Sequence, residues 1–306
     1  MPTDNLISKI KNRESDIVLY GITPPKKGTS EEKVAEISAR QVERLKNLSV
    51  DGLVLYDIQD EKSRTDEERP FPFMETLDCY DYSQQHLTNL KIPKIIYRAV
   101  GKYSETELSD FLTQAKPSEV LSIFVGAASK SQEVTVSISD AYKIKARTQS
   151  DVLLGGVVIP ERHQTKGDEH LRVFEKIAQG CKFFVSQGVY DVNASKNFLS
   201  DYYYYGKEHN IPLVPILFTL TPCGSAKTLQ FMKWLGISIP KWLENDLIHS
   251  NDILQRSVDV SEQSYRELKA FADDKGIPVG CNIESVAIRK VEVDASIELL
   301  ERVSKA

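Results

Sequence analysis

The sequence predicts an eight-stranded parallel α/β barrel. Short apolar runs alternate with segments of helical periodicity roughly eight times along the 306 residues. The apolar runs are rich in Val, Ile, Leu and Phe with little polar alternation, which is typical of strands buried on both faces. Repeated strand–helix units favour a closed (β/α)8 TIM barrel over the alternative, an open doubly wound sheet. The first turn, Gly21-Ile22-Thr23-Pro24-Pro25, also lacks the Gly-x-Gly-x-x-Gly loop of dinucleotide-binding sheets.

Each apolar run is assigned to a strand, and the periodic segment after it is assigned to a helix. Ser104-Glu105-Thr106-Glu107 forms a capping box, and Gly180 and Gly276 stand where a helix ends before a strand. The predicted strands are Asp16–Ile22, Gly52–Ile58, Lys94–Arg98, Val120–Val125, Val152–Ile159, Lys182–Gln187, Leu213–Phe218 and Pro278–Asn282. The predicted helices are Ser30–Asn47, Tyr82–Asn89, Ser104–Thr113, Gln132–Arg147, Gly167–Gln179, Asn193–His209, Ser225–Leu235, Asn251–Asp274 and Ser285–Ser304.

The composition predicts a single barrel domain over residues 1–306. The chain is 41% hydrophobic and 27% charged, as expected for a globular protein with one large core. It has no apolar run of the roughly 18–20 residues that cross a membrane. The segment from Met1 to Glu14 is polar and does not resemble a secretory signal. A cytoplasmic location without a membrane partner is therefore expected.

Charge and cysteine patterns exclude two further classes of site. The net charge is −5 and its signs are interspersed, so no basic patch predicts nucleic-acid binding. Cys79, Cys181, Cys223 and Cys281 form no Cys-x-x-Cys pair, so free thiols and no metal site are predicted. A small-molecule ligand is the expected partner, and assembly into a homo-oligomer is left open.

Polar residues gather at the ends of the fifth and sixth predicted strands. The first of these runs ends in Ile159-Pro160-Glu161-Arg162-His163, and the second ends in Ser186-Gln187-Gly188. The carboxyl ends of barrel strands form the face at which such folds place their reactions. We therefore expect a functional site at this face.

These two strands resemble the fifth and sixth strands of methylenetetrahydrofolate reductases. Ile22-Thr23-Pro24-Pro25 is similar to the Phe-Phe-Pro-Pro end of that family's first strand, and Ile239-Pro240-Lys241-Trp242 to its Ile-Pro-x-Trp after the seventh. The resemblance implies an oxidoreductase of one-carbon metabolism and methionine biosynthesis. Such an enzyme reduces 5,10-methylenetetrahydrofolate to 5-methyltetrahydrofolate with NAD(P)H. Typical members use FAD, whereas divergent members with a Pro-Glu-Arg-His loop transfer hydride from nicotinamide to folate without flavin.

The chain departs from the family at two residues that carry chemistry. Gly21 stands where the family has the Glu that acts as general acid, and Ala127 stands where it has an Asp. The next residues, Ala128 and Ser129, supply no carboxylate either. Two alternatives to the reductase therefore stay open, a non-catalytic folate- or pterin-binding protein and an enzyme of different one-carbon chemistry.

Candidate substrate and acid residues lie at the predicted strand ends. The resemblance implies that Gln187 binds folate, and Tyr56, Arg98 and Thr219 are expected to line the same pocket. Asp57 and Glu284 are candidates for the missing acid, because a half-buried carboxyl has a raised pKa. Each carboxylate is alternatively a salt-bridged residue of the rim, and Arg98 is alternatively the partner of Asp57.

Three residues are candidates for cofactor contacts. The resemblance implies contacts from His163, in the loop after the fifth strand, and from Lys176 on the following helix, and Lys166 in the same loop is a cation that could anchor an anionic ligand. The alternative is a structural His and solvated lysines. The long loop Gln59–Asp81 is either a lid over the substrate or a hydrophobic flap on the barrel rim.

Overall fold

The computed structural model describes residues 4–60, 67–127 and 134–305. All eight predicted strands are present in it, and each lies within or next to its predicted range. The strands are β1 (Val18–Ile22), β2 (Gly52–Leu55), β3 (Lys94–Ala99), β4 (Val120–Val125), β5 (Leu154–Val158), β6 (Cys181–Gly188), β7 (Ile216–Leu220) and β8 (Val279–Ile283).

The strands form a closed barrel in chain order, from β1 to β8. Neighbouring strands pair in parallel, with Ile95 opposite Leu121 and Leu217 opposite Gly280. Every residue of β2, β3, β7 and β8 is buried. This explains the absence of polar alternation in their sequences, and it confirms the predicted barrel.

Helices surround the strands, and local signals set many of their ends. Ser104 and Glu107 form the predicted capping box, and Gly276 ends α11 with φ of 68°. The helices are α1 (Asp4–Asn12), α2 (Glu31–Leu45), α3 (Cys79–His86), α4 (Glu105–Gln114), α5 (Ile138–Thr148), α6 (Pro160–Lys166), α7 (Glu169–Ala178), α8 (Val192–Glu208), α9 (Ala226–Trp234), α10 (Lys241–His249), α11 (Ile253–Lys275) and α12 (Lys290–Val303).

Three helices were not predicted, namely α1, α6 and α10. Pro160 and Pro240 start two of them, and a proline pre-sets the backbone for the first turn of a helix. Gly167, at φ of 67°, ends α6. The helix that was predicted to start at Gly167 is α7, and it starts two residues later, at Glu169. Helix α12 begins at Lys290, five residues after its predicted start. The predicted start of the fifth helix, Gln132, lies outside the described residues.

The chain packs as two compact units. The first comprises Met1–Ser8, Gly21–Glu68 and Pro72–Gly155, and the second comprises Lys9–Tyr20, Arg69–Phe71 and Gly156–Ala306.

The four cysteines are buried free thiols, as the sequence predicted. In the second unit, Cys223 belongs to a buried cluster with Tyr190, Met232 and Leu243. Its packing there is that of a small hydrophobic side chain. Among the described helices, none is long and apolar enough to span a membrane.

Candidate functional site

Asp57 lies two residues after the end of β2, in the first unit, and its carboxylate is surrounded by donors. The ammonium group of Lys102 forms an ion pair with it, and the backbone N–H of Ala99 donates at 2.9 Å. The hydroxyl of Tyr103 donates at 2.8 Å. Both carboxylate oxygens therefore accept hydrogen bonds, although the residue is only 9% exposed.

Arg98 is joined to the same network through Tyr103. Its guanidinium forms an ion pair with Asp78 and donates to the Tyr103 hydroxyl at 2.9 Å. It also lies 4.2 Å from the ring centre of Phe111 on α4. Burial alone would raise the pKa of Asp78, but the charge and hydrogen bond of Arg98 lower it below its usual value. Arg98 thus has a carboxylate partner within the protein, and that partner is Asp78.

Tyr56 packs against Tyr97 of the neighbouring strand. The ring centres are 4.9 Å apart and the planes meet at 61°. Tyr56 and Asp57 both follow Leu55, the last residue of β2, and they have different partners: the Tyr56 ring packs on Tyr97, whereas the Asp57 carboxylate accepts hydrogen bonds.

In the second unit, Gln187 lies near the end of β6, where the register with β7 shifts. Bulges of this kind re-aim side chains and are common next to active sites. Its side-chain nitrogen Nε2 donates to the Leu235 carbonyl oxygen at 2.8 Å. Its side-chain oxygen Oε1 is buried and has no hydrogen-bond partner in the described part of the chain. Gln187 thus presents an unused acceptor.

Thr221 follows β7 and also carries an unused polar atom. Its hydroxyl is buried without a partner among the residues that the structure describes, while its carbonyl oxygen accepts from Tyr190 at 2.6 Å. A Cβ atom placed on Gly188 would lie 3.3 Å from the Thr221 methyl group, so Thr221 borders the bulge that carries Gln187. Two unsatisfied polar atoms therefore belong to neighbouring residues at the ends of β6 and β7.

The predicted ligand Thr219 is bonded within the barrel. Its hydroxyl donates to the Ser186 carbonyl oxygen at 2.6 Å and accepts from Nδ2 of Asn282 at 3.1 Å. Its backbone N–H donates to the Ser186 hydroxyl at 2.8 Å. These bonds link β6, β7 and β8. The Thr219 hydroxyl therefore already has hydrogen-bond partners within the protein.

Glu161 lies in the first turn of α6, after β5, and its carboxyl group is buried. Neither oxygen has a hydrogen-bond partner among the described residues. Burial raises the pKa of the Glu161 carboxyl to about 8, and the carboxylates of Asp191 and Glu169 act in the same direction. At neutral pH this carboxyl is therefore mostly protonated. A neutral carboxyl has a donor O–H as well as an acceptor oxygen.

The three predicted cofactor residues point to different places in the second unit. Nε2 of His163 lies 3.0 Å from the Asp201 carboxylate on α8. The ammonium of Lys176 donates to the Val157 carbonyl oxygen at 2.6 Å, and burial lowers the pKa of Lys176. Lys166 ends α6 and is exposed to solvent. The structure does not bring these side chains to one ligand.

The remaining sequence candidates lie at strand ends. Glu284 directly follows β8, is half-buried, and its backbone N–H donates to the Leu220 carbonyl oxygen at 3.1 Å. Gly21 is buried within β1, and Ala127 lies exposed after β4. Positions Ala128 and Ser129 lie outside the described residues.

Part of the long loop Gln59–Asp81 packs against aromatic side chains, as expected for a hydrophobic flap. In the second unit, the Phe71 ring lies 5.3 Å from that of Phe231 on α9. The Arg69 guanidinium lies over the rings of Phe231 and Trp234, at 5.1 and 5.2 Å. In the first unit, the backbone N–H of Leu77 donates to the Pro25 carbonyl oxygen at 2.9 Å. Residues 61–66 of the loop lie outside the described residues.

Sequence reasoning missed Lys102, Tyr103, Asp78 and the buried carboxyl of Glu161. Lys102 and Tyr103 lie at a 3-10 turn over Val100–Lys102, which has no periodic pattern. The only signal for Glu161 was its place after Pro160 at a strand end.

Comparisons with known proteins point to one family. The family model described as methylenetetrahydrofolate reductase matches residues 130–269. A solved structure of an uncharacterized protein from Clostridium thermocellum, which binds two copies of 5-methyl-5,6,7,8-tetrahydrofolic acid, is 54% identical, with a TM-score of 0.87. That match covers 98% of this chain and 99% of the other. A GH113 β-1,4-mannanase, 12% identical over 96% of this chain and 99% of its own with a TM-score of 0.52, shares the fold alone. No curated protein sequence matches this chain.

Proposed function

Because this chain belongs to the methylenetetrahydrofolate reductase family, we propose that it binds a reduced folate at the carboxyl ends of β6 and β7. We further propose that it reduces 5,10-methylenetetrahydrofolate to 5-methyltetrahydrofolate, with NAD(P)H as the hydride donor.

The similar protein from Clostridium thermocellum supports the choice of ligand. It binds 5-methyl-5,6,7,8-tetrahydrofolic acid and is 54% identical over 98% of this chain. That ligand is the product of the proposed reduction. A site that holds the product also fits most of the substrate, because the two molecules differ only at the one-carbon unit.

One structural observation carries the proposal. The side-chain oxygen of Gln187 and the hydroxyl of Thr221 are buried polar atoms without partners in the described part of the chain. Leaving such a group unpaired costs about 1–3 kcal/mol, so native proteins rarely keep one without a reason. A pterin carries N–H donors along one edge and ring nitrogens that accept. The Gln187 oxygen suits such an N–H group, and the Thr221 hydroxyl suits either type.

The arrangement of the predicted cofactor residues favours direct hydride transfer without a flavin. His163 faces Asp201, and Lys176 is bonded to the Val157 carbonyl oxygen. Ala127 has no carboxylate to offer. These residues do not fit a flavin site, and we therefore propose that NAD(P)H reacts as a second substrate.

Opening the folate ring requires a proton, and we propose that Asp57 or Glu284 supplies it. Each follows a strand at its carboxyl end, where barrel enzymes place reacting groups. The three donors around Asp57 also suit a purely structural anchor. For this reason a folate-binding protein without turnover is the second candidate function, and Gly21 in place of the family acid favours it.

Two measurements on the purified protein test the proposal and separate the candidates. Calorimetric titration with 5-methyltetrahydrofolate reports binding, and oxidation of NADH or NADPH in the presence of 5,10-methylenetetrahydrofolate reports turnover. We expect both, from a preparation whose absorption spectrum lacks flavin bands. Binding without turnover would favour the second candidate, and absence of binding would refute both. Flavin bands in an active preparation would refute the direct transfer.

A further inference from the structure

Three metal-ligating side chains meet on the helical side of the second unit. They are His163 on α6, His170 on α7 and Asp201 on α8. One ligand atom from each lies within 4.8 Å of the others. Nε2 of His163 is already 3.0 Å from the Asp201 carboxylate, and the two imidazole rings meet edge to face with centres 5.2 Å apart.

His170 has a nitrogen that is available to an ion. Its Nδ1 is buried and has no hydrogen-bond partner among the described residues. A buried polar atom without a partner calls for an explanation, and a bound ion is a recognised one. His163 would bind through Nε2, which faces Asp201, because the two nitrogens of one imidazole point in different directions and a single ion contacts only one of them.

We propose that His163, His170 and Asp201 bind a divalent cation of the zinc type. Two imidazoles and one carboxylate are a donor set that zinc accepts, with water completing the tetrahedron. Imidazole donors favour zinc-type ions over magnesium or calcium, which prefer oxygen. The sequence predicted no metal site because the cysteines form no pair, but this set contains no cysteine.

The geometry requires only small movements. Zinc bonds to nitrogen and oxygen at about 2.0–2.2 Å, so tetrahedral ligand atoms lie about 3.3–3.5 Å apart. The pair formed by His163 and Asp201, at 3.0 Å, is close to this spacing. The Asp201 side chain is 56% exposed, which gives an ion a path from solvent. A bound ion would join α6, α7 and α8.

Zinc binding by the full chain, freed of any affinity tag and treated with chelator, tests this site. Calorimetry with zinc ions alone would measure affinity and stoichiometry for the parent and for two variants, His170→Ala and Asp201→Asn. These two residues are more exposed than His163, so their replacement is less disruptive to folding. His209→Ala is the matched control, because His209 ends α8 and stacks on Tyr205 with ring centres 3.9 Å apart.

We expect one equivalent of zinc per chain for the parent and for His209→Ala. In His170→Ala and Asp201→Asn the affinity should fall by more than the roughly 10–100-fold that loss of an outer-shell partner costs. The parent should also melt at a higher temperature with zinc, and the two variants should not. Absence of stoichiometric binding in the parent, or unchanged binding in both variants, would overturn the site. The measurement involves no folate, so its outcome is independent of the proposed reductase activity.

Discussion

The side-chain amide of Gln187 is fixed to the main chain at Leu235, because its nitrogen donates a 2.8 Å hydrogen bond to the Leu235 carbonyl oxygen. This bond determines which end of the amide is available to a ligand. The remaining oxygen is buried and unpartnered within the described residues. A ligand N–H that pairs with it recovers part of the cost of its burial, which gives Gln187 its central place in the proposed folate site.

We predict that Gln187→Ala weakens the binding of 5-methyltetrahydrofolate. The change removes the only acceptor that the side chain presents, and a lost bond in a desolvated site costs about 1–3 kcal/mol. The dissociation constant should therefore rise about 5–150-fold, as measured by calorimetric titration. Gln179→Ala is the control, because Gln179 is exposed at the end of α7 and should leave the affinity unchanged. If Gln187→Ala bound 5-methyltetrahydrofolate with the affinity of the parent, Gln187 would have only a structural role, through its hydrogen bond to Leu235.

Thr221→Val tests whether the unpartnered hydroxyl of Thr221 contacts the folate. Valine keeps the volume and removes the unpartnered hydroxyl, so the apo protein should be as stable or slightly more stable. Folate affinity should nevertheless fall by about 1 kcal/mol, or roughly 5-fold. Urea unfolding and titration check the two effects.

Thr219→Val is the matched control for that change. Its hydroxyl makes two hydrogen bonds inside the barrel, so its loss should destabilise the protein by about 1–3 kcal/mol. If Thr221→Val raised stability without any change in affinity, Thr221 would have no part in the folate site.

The strands could be predicted because their signal is local. A run such as Leu53 to Leu55 is buried on both faces, and burial on both faces requires apolar residues throughout. Helix α10 was not predicted, because Pro240 and Trp242 were assigned to a family motif. Its buried residues, Leu243 and Leu247, give only a short periodic pattern. Short helices of this kind depend on tertiary packing for their stability.

The site was predicted less completely, because its contacts join distant parts of the chain. Gln187 was placed correctly at a strand end, but its partner Leu235 is 48 positions away. Likewise Asp57 and Arg98 were expected to be near each other, yet Tyr103 joins them and Asp78 is the partner of Arg98. Nothing in the local sequence around Asp57 indicates these contacts.

Asp57→Asn tests whether the carboxylate after β2 supplies the proton for folate reduction. The amide keeps the shape but cannot transfer that proton, so turnover should fall by about 10²–10⁴-fold with little change in folate affinity. Stability should also fall, by about 1–3 kcal/mol, because Lys102 loses its charged partner. Steady-state rates and urea unfolding, at a temperature where the variant is folded, measure the two effects.

Lys102→Met is the control that separates the two roles of Asp57. It breaks the same ion pair but leaves the carboxylate and its bonds from Ala99 and Tyr103. Stability should fall while most of the turnover is retained. Equal rates in Asp57→Asn and the parent would exclude Asp57 as the acid and leave Glu284 as the candidate.

Lys94 gives the folded protein a stability that depends on pH. It begins β3, it is 9% exposed, and its ammonium donates to the Leu90 carbonyl oxygen. Burial lowers its pKa from 10.5 to about 8. Between these two values the unfolded chain binds more protons at this position than the folded chain does. The contribution of Lys94 to the free energy of unfolding therefore rises as the pH increases from about 8 to 10.5, by on the order of 3 kcal/mol in total.

We predict that Lys94→Met removes this dependence. The stability of the parent relative to the variant should be lowest below about pH 8 and should rise as the pH approaches 10.5, as measured by urea unfolding at several pH values. Lys33→Met is the control, because Lys33 is exposed on α2, is not among the charges that shift the pKa of Lys94, and its loss should leave the parent's pH profile intact. The comparison between variants cancels the titration of the other lysines and tyrosines. A constant difference between Lys94→Met and the parent across this window would show that Lys94 keeps an ordinary pKa in the folded state.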